Sequence, residues 1–462
     1  MVEGASSHLA DDGLPMPARA WAIASVALAI AMCVLDSSIA NIALPVIARQ
    51  FHAAPAESVW IVNAYQLAIV ISLLPLASLG EIVGYRRIYL VGLSLFVLAS
   101  VACALSRSLS MLALARTLQG FGAAGVMSVN GALVRFIYPG RLLGGGVGLN
   151  AMVVSLTAAV SPSVASAILA LGPWPWLFAV NIPVGLAALA LASRVLPGNA
   201  LSGRRFDWMS ALLNGLTFGL VISGIDMITR TRNKLGGALE LIAGALAAGL
   251  LVGREWGRPR PLMPFDLLRS RTFSLAVLTS IGSFTAQMLA YVSLPFHFEN
   301  ALHRGQVETG LLMTPWPAAV AIAAPLAGRL ADRFSAAVLC AIGLAALTLG
   351  LIALALLGGD ASSLDIGWRM ALCGAGFGFF QAPNNRMLLT SAPRERAGAA
   401  GGMLGTARLT GQTLGAVLTA VALQNFAGWG ERAALLLAAA FAVAAAIASV
   451  ARLGPAQSSS RP

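Results

Sequence analysis

The stretch WAIASVALAIAMCVLDSSIANIALPVI, Trp21 to Ile47, decides the fold. It exceeds the roughly 20 apolar residues that a helix needs to cross a bilayer, and Asp36 is its only charge. It is too long for the apolar core of a signal peptide and further spans follow it, which predicts a retained helix and no cleavable presequence. Comparable stretches recur as far as Arg452, separated by brief charged or Gly/Pro interruptions. Of the 462 residues, 58% are hydrophobic and 10% charged, whereas a soluble domain carries about a quarter charged residues. The bilayer is therefore the solvent for nearly the whole chain. Lipid offers backbone groups no partners, so the spans must be helices.

Reading apolar stretches between charges and turn residues predicts helices near 21–47, 58–79, 87–106, 110–134, 143–170, 176–193, 208–227, 237–253, 273–297, 309–328, 336–357, 367–389, 399–423 and 431–452. The expected fold class is an all-α integral membrane protein with about fourteen transmembrane helices. With the N-terminus inside, alternate loops carry 19 Lys and Arg on the cytoplasmic side against 7 on the other, which places both ends in the cytoplasm. The formal charge of +12 is spread singly or in pairs between spans, the pattern of topology determinants and not of a nucleic-acid surface. Cys33, Cys103, Cys340 and Cys373 fall inside spans without C-x-x-C spacing, and His8, His52, His297 and His303 have no ligand spacing, so neither disulfides nor a metal are expected.

An internal repeat organises the chain. LASLGEIVGYRR (Leu76–Arg87) follows the second helix and LAGRLADRF (Leu326–Phe334) the tenth, each a short loop that is acidic and then basic. The expected plan is a cytoplasmic tail at 1–20, a six-helix bundle at 21–194, a linker with two extra helices at 195–272, a second six-helix bundle at 273–452 and a tail at 453–462.

Ionisable and polar residues inside the spans mark the candidate chemistry, since a charge at mid-span costs about 2.5–3.5 kcal/mol on insertion scales. Asp36 reads as a proton carrier or as the counter-charge of a cation, or else as a hydrogen-bond link to Asn41 or a neighbour. Ser280, Ser283, Gln287 and Tyr291 draw a polar stripe on the ninth helix, and Asn63 and Gln66 do the same on the second. Arg408 and Gln412 share a face of the thirteenth helix, while Asn384, Asn385 and Arg386 cluster in the twelfth. With Met32, Phe284 and Met288, these groups suggest an apolar cavity holding a few polar atoms and one acid, suited to a lipophilic cation or a neutral amphiphile. Asp226 and Arg230, one turn apart, suggest an interfacial ion pair.

LDSSIANIALP (Leu35–Pro45), LARTLQGFGAA (Leu114–Ala124), WPWLFAVNIPVG (Trp174–Gly185), GRLADRF (Gly328–Phe334) and ARLTGQTLGAVL (Ala407–Leu418) occur in order on successive spans. Together they resemble the major facilitator superfamily, and within it the fourteen-helix drug:proton antiporter branch. The resemblance covers about residues 20–450. It implies that Arg116 takes part in proton coupling by acting on a nearby carboxylate; the other reading is an Arg fastening helices one and four through backbone carbonyls. It also implies gating loops at Glu81, Arg86 and Arg87 and at Asp332 and Arg333. The chain departs from the family pattern at Ala77, Glu81, Ile82 and Tyr85, and again at Ser161, Pro162, Ala165 and Ser166.

No G-x-x-x-x-G-K-[ST] phosphate loop is present and Lys234 is the only lysine, which argues against ATP as the driver. The expected function is export of hydrophobic cationic small molecules in exchange for protons, by a monomer in a bacterial inner membrane, without cofactor or nucleic-acid partner. A narrow-specificity importer or metabolite exporter is the alternative. A membrane enzyme finds no His/Asp/Ser constellation to support it.

Overall fold

A computed structural model describes residues 13–139, 142–198, 201, 206–230, 234–256, 267–331, 333–391, 397–426 and 428–453. Among these residues the regular structure is entirely helical. In chain order the helices are α1 Ala18–Gln50, α2 Pro55–Val83, α3 Tyr85–Ala104, α4 Leu109–Ile137, α5 Leu143–Leu171, α6 Trp176–Val195 and α7 Trp208–Arg230. They continue as α8 Lys234–Glu255, α9 Arg271–Phe296, α10 Gln306–Leu330, α11 Ala336–Ala355, α12 Ser363–Thr390, α13 Ala397–Asn425 and α14 Gly430–Val450. Each lies on a stretch where the sequence predicts one, with ends moved by a few residues.

Of the fourteen helices, not all pass a length and hydropathy test for a membrane span. Among the described residues, eleven helices are long and apolar enough to cross a membrane by length and composition, and twelve if the two arms of α5, Met152–Ala158 and Val160–Leu171, count as one. The two further long helices, α12 and α13, carry Arg369, Asn384, Asn385 and Arg386, and Arg408 and Gln412, which lower their mean hydropathy. The arms of α5 meet at 44°. Pro162 stands just past the bend, where its ring clashes with the carbonyl four residues earlier, that of Ala158.

The chain forms two compact units, residues 1–254 with 305–310, and residues 255–304 with 311–462. In the first, α1 packs on α4, α5 and α6, α4 on α2 and α3, and α3 on α6. In the second, α9 packs on α12, α13 and α14, α12 on α10 and α11, and α11 on α14. Each helix of the second network is the one eight places after its counterpart in the first, so the repeat seen in two loops extends to the packing. Local details repeat as well. Ser108 caps α4 by accepting from Met111 N (3.2 Å), and Ser362 caps α12 by accepting from Asp365 N (3.1 Å). Where α3 crosses α4, a Cβ on Gly92 would stand 2.9 Å from Gly122 O; where α11 crosses α12, one on Gly343 would stand 2.6 Å from Gly376 O. Small residues bring the backbones of both pairs together, which in lipid is the chief source of helix association.

The outer faces are apolar in the manner of a lipid-facing surface: Val91, Leu98, Leu114, Leu246, Ile322 and Leu349 are exposed. Helix α7 packs on α2. Asn214, fully buried, anchors it by donating Nδ2 to Ile71 O at 2.9 Å. Beside that anchor an apolar groove of about 480 Å³ runs between α7 and the faces of α2, α3 and α4, lined by Pro75, Val91, Phe121 and Trp208. The side chains of Asp226 and Arg230 lie outside the described residues.

Candidate functional site

Midway along α1, Asp36 is 1% exposed among helices of the first unit. Its Oδ2 accepts from Arg116 Nη1 of α4, and its Oδ1 accepts from Gln119 Nε2 (2.9 Å) and from Asn181 Nδ2 of α6 (2.7 Å). Arg116 donates through Nη1 also to Gln119 Oε1 (2.7 Å) and through Nε to Ile61 O of α2 (3.3 Å). The carboxylate that the resemblance sets beside Arg116 is Asp36, while the backbone carbonyl it reaches belongs to Ile61 on α2 and not to the first helix. Gln119 Nε2 extends the network to Ser100 Oγ of α3 at 2.9 Å. The guanidinium carbon sits 4.0 Å from the centroid of the Tyr65 ring and 5.5 Å from that of Phe178, so aromatic faces cover the cation. Tyr65 in turn donates its hydroxyl to Cys33 O at 3.4 Å, back on α1.

The cluster therefore ties α1, α2, α3, α4 and α6 together around one ion pair, and both carboxylate oxygens are occupied. Asn41, a sequence candidate for bonding Asp36, instead donates to Ser37 O at 3.4 Å within α1. A buried pair of this kind contributes little relative to an apolar replacement, but removing one partner alone costs about 3–5 kcal/mol because the other charge stays buried. Gln119 and Asn181 were not singled out from the sequence. The signal was present, since both stand in stretches that carry the family resemblance, LARTLQGFGAA and WPWLFAVNIPVG.

Of the other first-unit candidates, Met32 is buried on the α6 side of α1, where a Cβ on Gly185 would stand 3.3 Å from its sulfur. Asn63 and Gln66 are buried in α2, and Asn63 Oδ1 meets no hydrogen-bond partner among the described residues. Arg86 donates to Ser193 O near the end of α6, and Glu81 and Arg87 are exposed.

The second unit holds the rest. Asn384 of α12 donates Nδ2 to Ser280 Oγ (2.8 Å) and to Ala276 O (3.3 Å), and Ser283 Oγ donates to Ser280 O (3.0 Å). The stripe of α9 is therefore shared between buried serines that face α12 or their own helix and half-buried Gln287 and Tyr291. Phe284 packs edge-on against Phe377 at 5.3 Å, and Tyr291 lies 5.2 Å from Trp316. Gly411 and Gly415 bring α13 onto α9: a Cβ on Gly411 would meet Ile281 O at 2.5 Å, and one on Gly415 would meet Thr285 O at 2.6 Å. Arg408 and Gln412, half-buried on α13, complete the set. Arg333 is exposed, and Asp332 lies outside the described residues.

Both oxygens of Asp36 have donors, but buried polar atoms without a partner among the described residues occur in both units: Asn41 Oδ1, Asn63 Oδ1 and Asn130 Oδ1 in the first, and Asn384 Oδ1, Trp316 Nε1 and Arg408 Nε in the second.

Long apolar helices in two repeated units, with charges buried at mid-span, define an integral, multi-pass membrane transport protein. The chain belongs to the major facilitator superfamily, whose family model matches residues 26–416. Among curated relatives it is 52% identical over 449 residues to an uncharacterized transporter of Escherichia coli (strain K12), YebQ, covering 96% of this chain and 97% of that one. It is 29% identical over 392 residues to the riboflavin transporter RibZ of Clostridioides difficile (strain 630), covering 84% and 85%. It is 32% identical over 398 residues to the multidrug resistance protein Stp of Mycobacterium tuberculosis (strain CDC 1551 / Oshkosh), covering 85% and 74%.

Proposed function

We propose that this protein is a secondary active transporter that exports hydrophobic small molecules in exchange for protons, by alternating access, in a bacterial inner membrane with both termini in the cytoplasm. The observation that carries the reading is the saturated pair Asp36–Arg116. A carboxylate that releases its guanidinium when it takes up a proton links proton binding to the packing of α1, α2, α3, α4 and α6. A proton entering down the membrane potential supplies about 2.3 kcal/mol per 100 mV, and each pH unit adds about 1.4 kcal/mol. The multidrug resistance name of one relative, and the motifs shared with the drug:proton antiporter branch, support export of foreign amphiphiles. The riboflavin transporter among the relatives favours a second reading, a narrow-specificity carrier of one metabolite on the same fold.

The lipophilic-cation cargo suggested by Asp36 loses its basis, because Arg116 already matches that charge. The test is purified protein in liposomes that carry an internal pH dye and an imposed pH gradient, challenged with cationic, neutral and anionic amphiphiles. Export reads out as substrate flux accompanied by opposite proton flux. Substrate flux that leaves the proton gradient untouched would remove the antiport reading.

A further inference from the structure

Three arginines placed within helices account for their charge differently. Arg116 pairs with Asp36, and Arg369 pairs with Asp365 at 3.1 Å, one turn earlier on α12. Arg408 makes no hydrogen bond or ion pair among the described residues, and its Nε is buried without an acceptor. A guanidinium keeps its charge under all ordinary conditions, so it cannot relieve this by losing a proton.

The register of α13 on α9 sets Arg408 level with polar groups of α9. Gly411 stands against Ile281 and Gly415 against Thr285, so the two helices run in the same direction. Arg408, three residues before Gly411, is then level with Ser280, the serine held by Asn384. Asn384 keeps its Oδ1 buried and free of donors. One unpaired cation and one unpaired acceptor at the same depth form an incomplete set, and a ligand that brings an anionic oxygen and a nearby N–H or O–H completes it.

We infer that Arg408 is the anchor for an anionic head group, and that the cargo of this transporter is an amphiphile bearing a carboxylate or a comparable acid. The inference deepens the transport reading and rests on it for the word cargo; the site itself stands on binding alone.

The test uses naphthylacetate, naphthylacetamide and naphthylmethyl-trimethylammonium, one apolar body with three charges, titrated calorimetrically into the full chain in lipid nanodiscs without a proton gradient. The carboxylate binds at least about tenfold more tightly than the other two. Arg408→Gln abolishes that preference and leaves the amide's affinity in place, Arg408→Lys retains part of it, and Arg408→Gln does not lower thermal stability, since it removes an unpaired charge. Equal binding, tightest binding of the ammonium, no binding of the carboxylate, or a preference that survives Arg408→Gln each overturns the assignment. Binding that behaves as stated in a protein that moves no protons would instead sink the antiport reading and leave this one standing.

Discussion

Arg116 of α4 donates to Asp36 of α1 across 80 residues of sequence, and both side chains are 1% exposed. The two charges are therefore properties of one pair. Asp36→Asn strands a guanidinium in the packed interior. It should lower unfolding stability by about 3–5 kcal/mol, and adding Arg116→Gln should restore most of that loss. Denaturation of the purified single and double variants in detergent measures it. A single variant as stable as the parent would show that the pair is not what holds this cluster.

The same double variant separates fold from coupling. With neither charge present the helices keep neutral partners, yet no group at this depth exchanges a proton. In liposomes it should still bind substrate but no longer drive proton flux with it. Parental proton flux in the double variant would mean that protons travel elsewhere.

The equivalence of the two units is testable at their glycine crossings. Gly92→Val and Gly343→Val each put side-chain atoms where the facing backbone lies within 3 Å of a Cβ, so α3 must leave α4 in one and α11 must leave α12 in the other. Both should be destabilised by about 1–3 kcal/mol or more, and by similar amounts. Unfolding curves showing one of them neutral would break the parallel.

Asn214→Leu removes the hydrogen bond that fastens α7 to the Ile71 carbonyl of α2. Bonds of this type in membranes are worth about 0.6 kcal/mol on average, so the protein should remain folded. Faster amide hydrogen exchange in α7, with α1 to α6 unchanged, is the expected signature.

The spans were legible because lipid enforces a single rule over stretches of about 20 residues, and that rule shows in composition without knowledge of neighbours. It blurs in α12 and α13, whose polar residues are placed for their neighbours and not for lipid. Asn384 is one, bonded to Ser280 on another helix. Asp36, Arg116 and Arg408 were also legible as candidates, since the cost of an intramembrane charge makes each conspicuous where it stands. Their states were not. One Asp, two Arg and a polar stripe are compatible with an acid that carries a proton, faces a cation or bonds a neighbour, and composition does not choose among them.

What the sequence alone determined is where the long helices lie, that the chain repeats itself, and which few side chains carry charge within those helices. These follow from local hydropathy, which each residue contributes independently. Only the tertiary structure decided that Asp36 is spent on Arg116, Gln119 and Asn181 while Arg408 is left without a partner among the described residues. Pairing depends on which helix faces meet. That is set by close contacts such as Gly411 on Ile281 and Gly92 on Gly125, between residues far apart in the chain.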